Sequence, residues 1–191
     1  MKKKRILCYG DSNTWGYNPA SLSGEPYKKP WPDLLDGYET INCGMNGREI
    51  PDTMMKDTVR MFQSYEPVDL LIVVLGTNDL LMHADFKAED VTKKMSAFLT
   101  YVRNQMPELK ILLVAPPLMQ KGEWVQEERL IKESQRLQNL YRNLADKIKV
   151  YYANAGRWNI PLMYDGVHMT EQGHHEFAEH LQSIVQKILY L

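Results

Sequence analysis

Leu70-Leu71-Ile72-Val73-Val74-Leu75-Gly76-Thr77-Asn78-Asp79 runs six apolar residues straight into a glycine and three polar ones. An apolar run without polar alternation reads as a strand covered on both faces, as in a parallel sheet packed between helices. The glycine and the polar residues mark where that strand stops and a loop or helix begins. Four more short apolar or β-branched runs read as strands, at 6–9, 39–43, 111–115 and 150–153.

Segments of helical period lie between them. Met55, Val59 and Phe62 follow Pro51-Asp52, and Val91, Met95, Phe98, Leu99, Val102 and Met106 form a stripe closed by Pro107. A longer helix is predicted over 125–147, with Leu130, Ser134, Leu137, Tyr141 and Leu144 along one face and Ile148 continuing it. A last one follows Thr170, whose hydroxyl suits an N-cap, and carries Phe177, Leu181, Ile184, Val185 and Ile188. Strands alternating with helices imply right-handed crossovers, hence an α/β fold with an open five-stranded parallel sheet and helices on both sides. Neither an internal repeat nor a Gly/Ser linker breaks the chain, so one domain over 1–191 is expected. In such sheets ligands bind beyond the carboxyl ends of the strands, where the strand order reverses.

Composition narrows the function classes. A chain that is 44% hydrophobic and 25% charged is neither extensively disordered nor collagen-like nor a coiled coil. Lys and Arg number 23 against 24 Asp and Glu, and a net charge of −1 supplies no basic field for nucleic-acid phosphates. Cys8 and Cys43 each sit in an apolar run and read as buried, reduced thiols rather than a disulfide. The start Met1-Lys2-Lys3-Lys4-Arg5 is followed by only Ile6-Leu7-Cys8-Tyr9, too short for the core of an export signal. Without an apolar run long enough to span a membrane, a soluble cytoplasmic protein is expected.

Polar clusters fall just after the predicted strands: Gly10-Asp11-Ser12-Asn13, Asn42-Cys43-Gly44-Met45-Asn46-Gly47-Arg48, Gly76-Thr77-Asn78-Asp79 and Tyr164-Asp165-Gly166-Val167-His168. All should open onto one rim of the sheet. Ser12 alone is more readily a helix N-cap or a turn former than a nucleophile. A serine nucleophile needs a base, for which His168 is suited, and Asp165 can reach the other ring nitrogen if the loop turns. Equally, Asp165-Gly166 is a turn sequence that would leave His168 a solvated loop residue. Acyl transfer also needs donors where charge develops on the carbonyl oxygen. The N–H of Ser12, the N–H of Gly47 and the side-chain amide of Asn78 are available, although Gly47 could serve only a positive φ and Asn78 only a turn.

Other readings compete. Trp15, Tyr17, Trp31, Met119, Trp124 and Trp158 could line an acyl or alcohol pocket or simply pack. Arg48 reads as a surface charge or as a ligand for an anionic or sugar substituent. His83, His168, His174, His175 and His180 do not keep the spacing of helical zinc ligands, and the helical ones read as solvated. No metal or cofactor is expected. The same sheet could instead belong to a flavodoxin-like binding module, with Asp11-Ser12-Asn13-Thr14 cradling a phosphate at a helix N-terminus. The amphipathic helices leave a homo-oligomer open.

Gly10-Asp11-Ser12, Gly47, Gly76-Thr77-Asn78-Asp79 and Asp165-Gly166-Val167-His168, in that order, resemble the four motif blocks of the SGNH (GDSL-type) hydrolases. The resemblance spans residues 10 to 168. Gly10-Asp11-Ser12-Asn13-Thr14-Trp15-Gly16-Tyr17 and Ala115-Pro116-Pro117 look similar to the small arylesterases and acetyl-transferring esterases within that group. Asn13 stands where the family name has Leu, and the Gly-x-Ser-x-Gly elbow of α/β-hydrolases is absent. The resemblance implies a three-layer α/β/α sandwich and an esterase acting on small-molecule or carbohydrate esters. Ser12 would be the nucleophile, His168 the base, Asp165 its partner, and Ser12, Gly47 and Asn78 the oxyanion hole.

Overall fold

The computed structural model describes residues 3–190. Met1 and Lys2 of the charged start, and Leu191, lie outside them. Five strands, β1 (Arg5–Gly10), β2 (Glu39–Gly44), β3 (Leu70–Val74), β4 (Lys110–Ala115) and β5 (Tyr151–Asn154), pair in parallel in the order β2-β1-β3-β4-β5. The predicted strands are all present, their ends shifted by no more than one residue. The helices are α1 (Ser12–Trp15), α2 (Met55–Ser64), α3 (Thr77–Met82), α4 (Ala88–Gln105), α5 (Glu128–Ile148) and α6 (Glu171–Tyr190). Periodicity found the four long ones. It missed α1 and α3, which are too short to show a period, and it started α5 early, because Val125 is buried in a loop that precedes the helix.

Central position explains the unalternating strands. β3 is buried at every residue because its two faces feed two different cores. Leu71 and Val73 join Leu7 and Tyr9 of β1 against α2, α4 and α5. Leu70, Ile72 and Val74 join Ile6 and Cys8 against Trp31 and the inner stripe of α6, namely Phe177, Leu181, Val185 and Ile188. The result is three layers, α/β/α. The edge strand β2 is mostly half-exposed, so Cys43 is only partly covered while Cys8 is buried; both thiols are free.

The chain leaves β1 toward β2 on one side and returns through β3 on the other, so the strand order reverses between β1 and β3. Gly10 lies beside Gly44 on one side and Val74 on the other, which sets the loops after β1, β2 and β3 next to one another on the carboxyl rim. Gly76 makes the turn after β3. Its φ is +123°, and a side chain there would press on the Tyr141 hydroxyl, which donates to the Leu75 carbonyl at 3.1 Å. Thr170 caps α6 as expected, accepting the Gly173 N–H at 2.9 Å. Among the described residues no helix is long and apolar enough to cross a membrane.

One helical histidine is not solvated. His175 and His180 are exposed, but His174 is fully buried, its Nδ1 accepting the Trp31 N–H at 3.3 Å and the Tyr27 ring lying edge-on at 5.2 Å. Burial, helped by His175 and His168, lowers its pKa to about 4 from 6.5. The unfolded chain therefore takes up a proton that the folded chain refuses, and stability present above that window is lost as pH falls through it. Asp11 works in the opposite sense, since burial raises its carboxyl to about 6 and favours the folded chain as pH falls. A substitution separates the two. His174→Gln, which keeps an acceptor for Trp31, should gain on wild type by about 2 kcal/mol in urea unfolding between pH of about 7.5 and about 4.5. A difference that does not change with pH would contradict this account.

Candidate active site

At the end of β1, Asp11 caps α1 by accepting the Asn13 N–H at 3.0 Å, which leaves buried Ser12 as the first helical residue. The partner segment follows β5. Asp165-Gly166 does form the turn that its sequence suggests: Gly166 has φ +82°, and a side chain there would run into the Gln120 carbonyl. The turn lets Asp165 Oδ1 accept the N–H groups of Val167 and His168 at 2.8 and 2.9 Å, while Oδ2 meets His168 Nδ1 at 2.7 Å. The turn reading and the orienting-acid reading are thus one arrangement. His168 is 1% exposed rather than solvated, and its Nε2 lies 2.9 Å from Ser12 Oγ.

Electrostatics fixes the direction of these bonds. Burial pushes the Asp165 carboxyl up, but the His168 ring and the two backbone N–H groups outweigh it and hold the acid below its usual range. An ionised carboxylate only accepts, so Nδ1 carries a proton, and in the neutral ring Nε2 presents its lone pair to the Ser12 hydroxyl. That is the geometry in which an imidazole can take a proton from serine.

The donor candidates lie on the same rim. Among the described residues neither the Ser12 N–H nor the Gly47 N–H has an acceptor. Asn78 Nδ2 donates one hydrogen to the Arg48 carbonyl at 3.0 Å, which leaves its second amide hydrogen for another partner. Gly47 has φ +70° and an exposed backbone, so its positive-φ reading holds.

Two residues to which sequence reasoning gave no role brace this loop. Asp79, fully buried, accepts the Ile50 N–H at 3.1 Å and pairs with Lys94 of α4, which also reaches Glu49 at 3.2 Å. Burial raises the Asp79 carboxyl despite Lys94, so the ammonium is what makes the buried charge tolerable. Lys94 lies in a polar helix face with no motif around it, and only the fold brings it to Asp79. Arg48 is not a free surface charge: it donates to the Gly10 carbonyl at 2.9 Å and to the Cys43 carbonyl, with its guanidinium 4.3 Å from the Tyr9 ring centre.

Of the aromatic and methionine candidates, Trp31 and Met119 are core, and Trp158 packs on Phe177 and His180. Tyr17 and Trp124 remain at the site, with ring centres 4.6 and 4.9 Å from that of His168. Trp124 is half-exposed, and its backbone N–H donates to the Asp165 carbonyl at 3.1 Å. Among the described residues no cluster of three His, Cys, Asp or Glu could hold a metal ion. The phosphate-cradle reading fares poorly, because α1 has four residues and the buried Asp11 carboxylate occupies its head.

A flavodoxin-like sheet order in an α/β/α fold carries a buried, hydrogen-bonded Asp–His–Ser chain on its carboxyl rim. Residues 8–176 match the model of the GDSL-like lipase/acylhydrolase family, and the chain belongs to that family. It is a carboxylic ester hydrolase. The fold is similar to that of a carbohydrate acetylesterase family member from Sinorhizobium meliloti, with a TM-score of 0.85 and 25% identity over 98% of this chain and 100% of that one. An M. smegmatis aryl esterase is similar over 97% of this chain and 100% of its own, with a TM-score of 0.80 and 28% identity. A member of the lipolytic G-D-S-L family from Veillonella parvula shares the fold, with a TM-score of 0.73 and 16% identity over 96% and 99% of the two chains. No curated protein matches the chain.

The Lys94 brace gives a direct test. Lys94→Met strands the Asp79 carboxylate in the core and should lower stability by about 3 kcal/mol, read as a lower urea midpoint. An unchanged midpoint would mean that Asp79 needs no counter-charge.

Proposed function

We propose that the chain hydrolyses short-acyl esters of aryl or sugar alcohols through a covalent acyl-Ser12 intermediate. The carrying observation is the hydrogen-bonded chain from Ser12 Oγ to His168 Nε2 and from His168 Nδ1 to Asp165. In this reading His168 takes the Ser12 proton as Oγ attacks the ester carbonyl, and the oxyanion is held by the N–H groups of Ser12 and Gly47 and the side chain of Asn78. His168 then gives the proton to the departing alcohol oxygen. Water repeats the sequence, losing a proton to His168, attacking the acyl carbon and releasing the carboxylic acid and free Ser12.

The alcohol must leave on the His168 side, because its oxygen has to come within hydrogen-bond reach of Nε2. Tyr17 and Trp124 flank that side, and aromatic faces suit aryl rings and the C–H faces of sugars. The low exposure of Ser12, 7%, favours a small acyl group. The names of the S. meliloti and M. smegmatis structures support the same substrate classes.

Hydrolysis of a chromogenic acetate ester and of a longer-chain ester tests the reading. Ser12→Ala should abolish turnover, and Asn78→Ala should retain the fold with kcat lower by about 10²–10³. Equal rates in wild type and Ser12→Ala would remove Ser12 as the nucleophile. Trp124→Ala should raise KM for an aryl ester about fivefold and leave KM for a methyl ester nearly unchanged, whereas equal effects on both would place the alcohol elsewhere.

A further inference from the structure

The residue after Ser12 is buried, and its side chain is engaged at both ends. Asn13 Oδ1 accepts the Met169 N–H at 2.8 Å, and Asn13 Nδ2 donates to the Val167 carbonyl at 3.0 Å. These two peptide groups flank His168. The other polar atoms of the same two groups are held from within the loop: the His168 N–H donates to Asp165 Oδ1 at 2.9 Å, and the His168 carbonyl accepts the Met163 N–H at 2.7 Å. The backbone around His168 therefore hangs on four hydrogen bonds, two from its own turn and two from the residue adjoining the nucleophile.

We propose that Asn13 is a positioning residue that sets the distance between the Ser12 hydroxyl and the His168 imidazole. The inference rests on the Ser12 and His168 roles given above. The bonds from Asp165 to His168 lie within one loop and fix the ring relative to that loop. They say nothing about where the loop sits relative to β1. Asn13 supplies that coordinate, because its backbone is continuous with Ser12 and its own N–H is tied to Asp11 at 3.0 Å. A primary carboxamide is suited to this, since it offers a donor and an acceptor in one neutral plane. A leucine at this position would fill similar space and leave the Val167 carbonyl and the Met169 N–H without their partner, so the loop could drift from Ser12 while Asp165 stayed on His168.

The test compares wild type, Asn13→Leu and Asn13→Gln, with competent sites counted by exhaustive labelling with a fluorophosphonate and kcat and KM measured on a chromogenic acetate ester. Asn13→Gln can still pair with both peptide groups but is one methylene too long to keep the spacing. Both variants should lose about 10²-fold in kcat per labelled site, with KM within about twofold of wild type. A role in stability alone would lower the number of labelled sites and leave the rate of each intact. Asn13→Leu at wild-type kcat per site, or Asn13→Gln at wild-type kcat per site, would overturn the proposal. If Asn13→Leu does not fold, Asn13→Gln decides alone. A wild-type chain that the fluorophosphonate does not label at Ser12 would overturn the nucleophile assignment itself, an outcome distinct from a labelled wild type with a fast Asn13 variant.

Discussion

A hydroxyl from the first loop and an imidazole from the last, 156 residues apart in sequence, must meet at hydrogen-bond length. Neither loop can achieve this alone. The separation is closed by the parallel sheet, whose crossovers return every strand in the same direction and bring all the loops that follow strands to one rim. Register then does the fine placement: Gly10 beside Gly44 and Val74 sets the ends of β1, β2 and β3 level, so that the segments carrying Ser12, Gly47 and Asn78 all start from neighbouring points on that rim.

Buried polar groups dominate the energetics of this rim. Asp11, Asn13, Asp79, Asp165 and His168 are all 5% exposed or less, an arrangement that is tolerable only where hydrogen bonds or counter-charges replace water. The structure provides them in two linked braces. Arg48, Asn78, Asp79 and Lys94 hold the loop after β2 to the ends of β1 and β3, and Asp165 and Asn13 hold the loop after β5. A low-dielectric surrounding makes each of these bonds stronger and each loss more costly, which stiffens the positions of the groups that do chemistry.

Much of the fold was legible before any coordinates. The 70–75 run is apolar on both faces because β3 sits in the middle of the sheet, and β-branched residues with no polar alternation carry that information directly. Edge strands and short helices were harder. β2 mixes polar and apolar residues because one side of it faces solvent, and α1 and α3 are shorter than two turns and show no period. The motif residues Ser12, Asp165 and His168 could be named from residue type and place after a strand. The turn at Asp165-Gly166 could be named too, although that it also aims the carboxylate at the ring could not.

Local pattern thus determined the α/β class, the strand count and the candidate residues that the fold links by hydrogen bonds, because hydrophobic period, turn residues and loop position are encoded within a few residues of each site. Contacts between distant segments were left to the folded chain. That Asn13 spans the loop around His168, that Lys94 answers Asp79, that Arg48 is bound to backbone carbonyls, and that His174 is buried while its neighbour His175 is not are all set by which surfaces the sheet brings face to face. A side chain's partner on another element, whether 15 residues away as for Lys94 or 156 as for Asn13, leaves no trace in its own neighbourhood, since the same asparagine or lysine would be equally at home in solvent.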